Sequence, residues 1–268
     1  MPQDSLLVGL DLGTSSTTSN HVLVRDFHNP ERRERISKIS DVRDWPGCTD
    51  GVIGNNCVPT TLIYHRITRK LLFWGFHAKS YLDKLEDPYL EPPFGDVIVI
   101  ETIKLLLIEP NNTRPLSPTS LRRQYMRETL FTALGKRPEE VFEDFLNAVL
   151  LHVLSSVKKY SASATKAHHV ELIMAFPSGW PDQVHTCVGR IGARAMRRAL
   201  TSHCFEDMTF KAKNVYTVSE TLCGVKEWLR DDTAKRFDST EFNPPPINLD
   251  EINVSWLIAL KPTINPFR

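Results

Sequence analysis

Cysteine is sparse in this chain. Five residues, Cys48, Cys57, Cys187, Cys204 and Cys223, are scattered over 268 positions with no CxxC pair. An odd count without short spacing argues against a disulfide framework or a structural zinc site. No stretch approaches the roughly 18 unbroken apolar residues of a membrane helix. The N-terminus carries Asp4 where a signal peptide needs basic residues before a long apolar core. Excess charge is lacking too: 33 Lys and Arg face 32 Asp and Glu, net +1, so nothing calls for nucleic acid or an anionic membrane. No GxxxxGK[ST] loop occurs. Glycine is scarce, at 12 residues with none after Gly224. The expectation is a reduced, cytoplasmic protein without nucleic-acid or membrane partners, in which the sequons at Asn111 and Asn253 are chance.

What is present is an ordinary globular mixture, 41% hydrophobic and 24% charged, long enough for one large domain or two modest ones. Residues 6–12 and 21–26 read as strands, and 31–40 as a third, partly exposed strand through Ile36 and Ile39. Residues 41–57 concentrate Gly, Pro, Asn and Asp and read as a loop. A hairpin is expected at 59–64 and 70–74, followed by a helix over 77–85. Residues 97–108 are mostly apolar and expected to be buried, and three prolines and two asparagines make 109–120 a loop. The clearest amphipathic helix is 141–159, with Val141, Phe145, Ala148, Val149, His152, Val153 and Ser156 at helical spacing. A strand over 170–176 ends at Pro177-Ser178-Gly179. A helix over 182–200 follows, whose Gly189, Gly192, Ala193 and Ala195 permit close packing. A short strand at 215–218 and a helix over 220–229 complete the pattern. From about Asp231 the composition changes, with Pro244-Pro245-Pro246 and at most one more strand, 253–260.

The chemistry concentrates in LLVGLDLGTSSTTSNHVLV, residues 6–24. An apolar strand ends in Asp11, and Gly13-Thr14-Ser15-Ser16 then place successive backbone N–H groups and three hydroxyls in a tight turn. Gly13 permits close backbone approach or positive φ. Turns of this kind cradle anions, and Asp11 at the strand end is placed to hold magnesium through water. Taken alone, the same residues also suit a plain polar turn.

The order of later segments adds a resemblance. Gly9-Leu10-Asp11-Leu12-Gly13-Thr14 with Ser15 closely resembles the first phosphate loop of the 70-kDa heat-shock protein family. Val58-Pro59-Thr60-Thr61, running to Phe73-Trp74-Gly75-Phe76-His77-Ala78-Lys79, resembles its next hairpin and helix. Leu172 to Trp180 resembles the strand and turn before the crossover helix, and Val218-Ser219-Glu220-Thr221 the magnesium-organising turn. Over residues 5–229 the chain is therefore similar to the nucleotide-binding domain of that family, more narrowly to divergent heat-shock-like proteins of filamentous fungi.

The resemblance implies an α/β fold, the first lobe of an actin-like ATPase (ribonuclease H-like), with a five-stranded mixed sheet and flanking helices. It implies ATP and Mg2+ as cofactors, and client proteins or co-chaperones as partners. Asp11, Lys79 and Glu220 take the catalytic positions; Asp11 and Glu220 order the metal's water, while Lys79 faces the γ-phosphate. Gly13, Thr14, Ser15 and Ser16 bind phosphate, and Pro177 stands where the family has a switching proline. Each has a plainer reading: a turn cap for Asp11, a solvated helix lysine for Lys79, a helix-start acid for Glu220, a strand end for Pro177. His168-His169 reads as a solvated loop pair, and Trp74 and Trp180 as core or interface anchors.

Three departures bear on activity. The family's second phosphate loop, an acid followed by three glycines and a threonine, has no counterpart. The adenosine loop and second lobe are missing from the sequence. His185 stands where the family has an arginine. Residues 1–230 are expected to form the lobe, with an inserted subdomain at about 41–165. Residues 231–268 are expected to be an irregular tail of a truncated or mis-spliced longer chain. The expected function is an incomplete ATP-binding, chaperone-type ATPase domain, weak or inactive in hydrolysis. The alternatives are a non-enzymatic interaction module and a small-molecule kinase of the same superfamily.

Overall fold

The computed structural model of the chain describes residues 3–29, 34–35, 37–48, 56–85, 96–108, 118–177, 179–202, 205 and 208–220, with backbone only at 85, 118–123 and 219. In chain order the strands are β1 (Asp4–Leu12), β2 (Ser16–Arg25), β3 (Glu34–Arg35), β4 (Ser40–Asp41), β5 (Cys57–Pro59), β6 (Thr61–His65) and β7 (Leu71–Trp74). Helix α1 (Gly75–Leu85), β8 (Val97–Glu101), and helices α2 (Ile103–Leu106), α3 (Pro118–Thr129) and α4 (Pro138–Tyr160) follow. The last elements are β9 (His169–Phe176), α5 (Asp182–Ser202) and β10 (Val215–Ser219).

The main sheet has the order β10-β9-β1-β2-β3, with β4 and β5 also paired to β2. β1 and β2 are antiparallel from Asp4↔Arg25 to Leu12↔Thr17. β9 runs parallel to β1, and β10 parallel to β9. The sheet is thus mixed, five strands wide, with its outer position built from three short pieces. β1 shows why these residues choose a strand. Leu6, Val8, Leu10 and Leu12 enter the large core cluster, whereas Leu7 points to the opposite face with Val22, Ile173 and Ala175.

Helices α4 and α5 pack together on the first of these faces. α4 begins with Pro138 in the first turn, and the Glu140 carboxylate accepts the Arg137 backbone N–H at 2.8 Å. Glu139 and Glu140 at the start and Lys158 and Lys159 at the end complement the helix dipole. Between them Val141, Phe145, Leu146, Val149, Val153 and Val157 are buried. The one acid in this stripe, Glu143, is held by Arg194 and Arg198 of α5. Gly192 brings α5 close to the strand carrying Met174, whose flexible end, Cε, would lie 2.6 Å from a Cβ there. A Cβ at Gly189 would lie 3.9 Å from its nearest neighbour.

A second sheet, β7-β6-β8, lies within residues 57–101. Leu62, Tyr64, Ile98 and Ile100 face the large core, while Ile63, Val97 and Val99 face Ala78 and Tyr81 of α1.

The elements differ from expectation mainly at their ends. Residues 31–40 yield only the two-residue β3 and the start of β4, and Ile36 lies outside the described residues. The loop 41–57 is shorter than expected because Asp41 and Cys57 both pair with β2. The apolar segment 97–108 divides into β8 and α2, and α3 starts at Pro118, inside the expected loop. α3 runs into a π-helical turn, Leu130–Leu134, closed by Gly135 at φ 61°. The expected helix over 220–229 is described only at Glu220. Its remainder, the tail 231–268 and the strand 253–260 lie outside the described residues. Among the described residues no helix is long and apolar enough to cross a membrane.

Candidate functional site

β1, β9 and β10 are mutually parallel, so their carboxyl ends meet along one edge of the sheet. Such edges of α/β sheets are where ligands bind, because the turns leaving the strands open there. Asp11 stands at that end of β1, and Glu220 immediately follows β10. The turn Gly13-Thr14-Ser15 leaves β1 at the same edge. Ser16, expected in the turn, is instead the first residue of β2, opposite Pro59 of β5.

The turn is held by Thr60. Its N–H donates to the Ser15 carbonyl at 2.9 Å, and its hydroxyl donates to the Gly13 carbonyl at 3.2 Å. Thr60 is itself buried, with its hydroxyl 3.1 Å from that of Thr17. Gly13 has no left-handed φ. What demands glycine is close approach, since a Cβ there would sit 2.2 Å from the Ser16 carbonyl oxygen. Thr14 and Ser15 are exposed at the tip.

Asp11 and Glu220 influence each other electrostatically. Burial pushes the Asp11 carboxyl above its ordinary range, the Glu220 charge adds to the shift, and Lys104 opposes it. Lys104 is the residue that sequence reasoning missed. Its Nζ lies 2.5 Å from Glu220 Oε1, and its side chain is only 4% exposed. The ammonium also lies 5.9 Å from the centre of the Phe176 ring and 5.7 Å from that of Trp180. Carboxylate and aromatic faces together compensate a charge that would be costly to bury alone. Trp180 packs on Phe176 at 5.1 Å, and His185 meets both rings edge-on. His185 thus lines the aromatic wall behind the lysine.

Lys79 has one of its contacts within its own helix. It lies on α1, more than half exposed, in an ion pair with Asp83 one turn on. Asp11, Glu220 and the Gly13–Ser15 turn are therefore brought to one edge, where Lys104 lies against Glu220. The signal that could have revealed it was a lone lysine in the apolar run 97–108. Pro177 follows β9 directly, and its carbonyl accepts the Trp180 N–H at 3.2 Å. His169 contacts Gln3 at 2.6 Å.

The fit of a divalent cation can be judged from these contacts. Asp11 and Glu220 are the acids such an ion would use, directly or through water. A buried ammonium already lies 2.5 Å from Glu220 and acts electrostatically on Asp11, so a second positive charge at Glu220 meets like charge. As folded, the side chains do not fit a magnesium ion at this point. Among the described residues no cluster of three or more His, Cys, Asp or Glu is placed to hold a metal.

No protein-family profile and no curated protein matches this sequence. Solved structures do show similarity. An ADP-bound MreB5 of Spiroplasma citri matches with TM-score 0.36 and 12% identity, over 83% of this chain and 40% of that one. An AMPPNP-bound MreB 5 of the same organism gives 0.38 and 12%, over 85% and 42%. Nucleoside triphosphate hydrolases from Neospora caninum give 0.36 and 11%, over 88% and 32%. The chain spans less than half the length of each of these structures.

Proposed function

We propose that residues 1–230 form a nucleotide-binding lobe of the actin-like ATPase type, whose Gly13–Ser15 turn binds the phosphates of ATP or ADP. The observation that carries this reading is the convergence of Asp11, Glu220 and that turn on the carboxyl edge of three parallel strands. Gly13 permits the tight backbone, Thr60 fixes it from beneath, and Thr14 and Ser15 offer hydroxyls at the tip. Lys104 supplies positive charge at the same edge. Phosphate recognition of this kind rests on positioned N–H groups and a fixed cation. The heat-shock resemblance supports a finer reading, in which this lobe serves a chaperone-type ATPase cycle and closes on nucleotide with a second lobe. Hydrolysis is not part of the proposal for this chain.

The test is isothermal titration of the folded chain with ATP and ADP, beside a Thr14→Ala/Ser15→Ala double variant. Saturable binding that weakens at least about tenfold in the variant, the loss of one or two good hydrogen bonds, supports the cradle. No binding heat at millimolar nucleotide, or equal binding by the variant, overturns it.

A further inference from the structure

We propose that Lys104 is a built-in counter-cation of this site, standing where a divalent metal would be expected, so that phosphate binding here does not depend on a metal. The inference rests on the nucleotide reading above and concerns the same edge of the sheet. Three independent observations converge on it. The ammonium makes its closest contact with Glu220, at 2.5 Å, and acts electrostatically on Asp11. Its side chain is 4% exposed and packs against Glu220 with the Phe176 and Trp180 ring centres 5.9 and 5.7 Å from its ammonium, so it is not a surface lysine. The backbone that delivers it is strained: Thr102, just before α2, has φ 56° and ψ 33°. A β-branched residue in the left-handed region persists only where the surroundings impose it, and such residues cluster at functional sites.

The chemical consequence concerns charge. Two carboxylates facing a bound phosphate need a cation between them, and an ordinary site of this kind recruits one from solution. Here the chain carries it on a four-carbon stem, fixed by the turn at Thr102. Magnesium at Glu220 must displace an ammonium whose other near groups, among the described residues, are the Phe176 and Trp180 rings. Phosphate, by contrast, meets a positive group already in place.

The experiment uses terbium(III) as the metal probe, with Trp180 as the nearby sensitiser of its luminescence. The wild-type chain, Asp11→Asn, Lys104→Gln, and Lys104→Gln combined with Asp11→Asn are titrated without nucleotide. The expected result is little emission from the wild type and saturable emission from Lys104→Gln, lost again with Asp11→Asn. The affinity gain is at least about tenfold, the low end of what removing one like charge a few ångströms away gives at an effective dielectric of about 20. Wild-type emission as strong as that of Lys104→Gln and sensitive to Asp11→Asn overturns the proposal.

Should Lys104→Gln fail to fold, amine labelling of the wild-type chain decides. Lys104 is expected among the slowest lysines to acetylate and to stay protected in millimolar magnesium. Labelling that accelerates on adding magnesium shows that the metal displaces it, which refutes the idea. ATP and ADP titrations in EDTA and in magnesium complete the set. Equal wild-type affinity under both conditions is expected, and a tenfold magnesium requirement refutes the counter-cation. No nucleotide binding under either condition defeats the nucleotide reading alone, because the terbium and labelling results stand without it.

Discussion

Replacing Gly13 by alanine tests the geometry of the opening turn directly. The new Cβ would lie 2.2 Å from the Ser16 carbonyl oxygen, where ordinary contact begins at 3.4 Å. Neither partner is the free end of a flexible side chain, so backbone must move by roughly the 1.2 Å shortfall. Both Thr60 hydrogen bonds to the turn, at 2.9 and 3.2 Å, leave hydrogen-bonding range under such a shift. Each contributes about 1 kcal/mol net, and buried Thr60 then has polar groups left unsatisfied, giving a total loss of about 2–3 kcal/mol. In a chain of this size that lowers the thermal midpoint by about 4–5 °C. The matched control is Gly189→Ala, the same chemical change inside α5, where the nearest atom is 3.9 Å away. There the substitution relieves glycine's entropic penalty and stabilises by about 0.5–1 kcal/mol. Thermal and urea unfolding followed by circular dichroism read both variants. A Gly13→Ala protein that melts with the wild type, or two variants that shift alike, refutes this account of the turn.

Three further outcomes follow from particular contacts. Glu143 is buried between two arginines that are about half exposed, so Arg194→Ala/Arg198→Ala, which strands the carboxylate, costs about 3 kcal/mol in urea unfolding. Glu143→Gln, which releases the arginines to water, costs visibly less; the reverse order contradicts the assignment. Burial holds both His21 and His152 below the ordinary histidine value of 6.5, against the opposing pull of Asp41 and Asp44 respectively. The unfolded chain therefore binds protons more readily, and stability is full above pH 6.5 and declines as pH falls through the window below it. His152→Asn flattens that decline in melting temperature measured against pH, and an unchanged slope counts against the role given to His152. Tyr64 donates to Asp144 at 2.6 Å, and Tyr64→Phe should cost about 1 kcal/mol in unfolding measurements while leaving Asp144 paired with Lys136.

The fold was legible where periodicity was strong and the partner surface continuous. α4 could be read because its buried stripe runs the length of the helix, and its ends carry the charges the dipole favours. β1 and β9 could be read from the apolar runs 6–10 and 172–176 flanked by turn residues. The outer position of the sheet could not, because β3, β4 and β5 are pieces of two or three residues defined by what they pair with on β2. Segments so short carry no period of their own. α3 was hidden for a related reason: its start at Pro118 follows a proline-rich stretch that reads as a breaker, although proline is well tolerated in a first helical turn.

The two lysines show what spacing can and cannot convey about a site. Lys79 was chosen because it follows a recognisable hairpin at the right interval, which is a statement about sequence order. Whether it reaches the phosphate turn depends on the length and tilt of α1, which spacing does not state; one of its partners in the structure is Asp83, one turn on. Lys104 carried a different kind of signal. A lysine in an apolar run must either reach water or be neutralised in place, since burying an unpaired ammonium is prohibitive. Within Ile103-Lys104-Leu105-Leu106 the neighbours Ile103 and Leu106 are fully buried, which leaves neutralisation as the answer. The sequence could therefore announce that Lys104 has an acidic partner. It could not say which acid, because Glu220 arrives from the far end of the described chain through the parallel pairing of β10 on β9. Acids that meet only through sheet topology are visible in the fold, and the misplaced charge that needs them is visible in the sequence. Looking for the latter first is the more reliable way into a site of this kind.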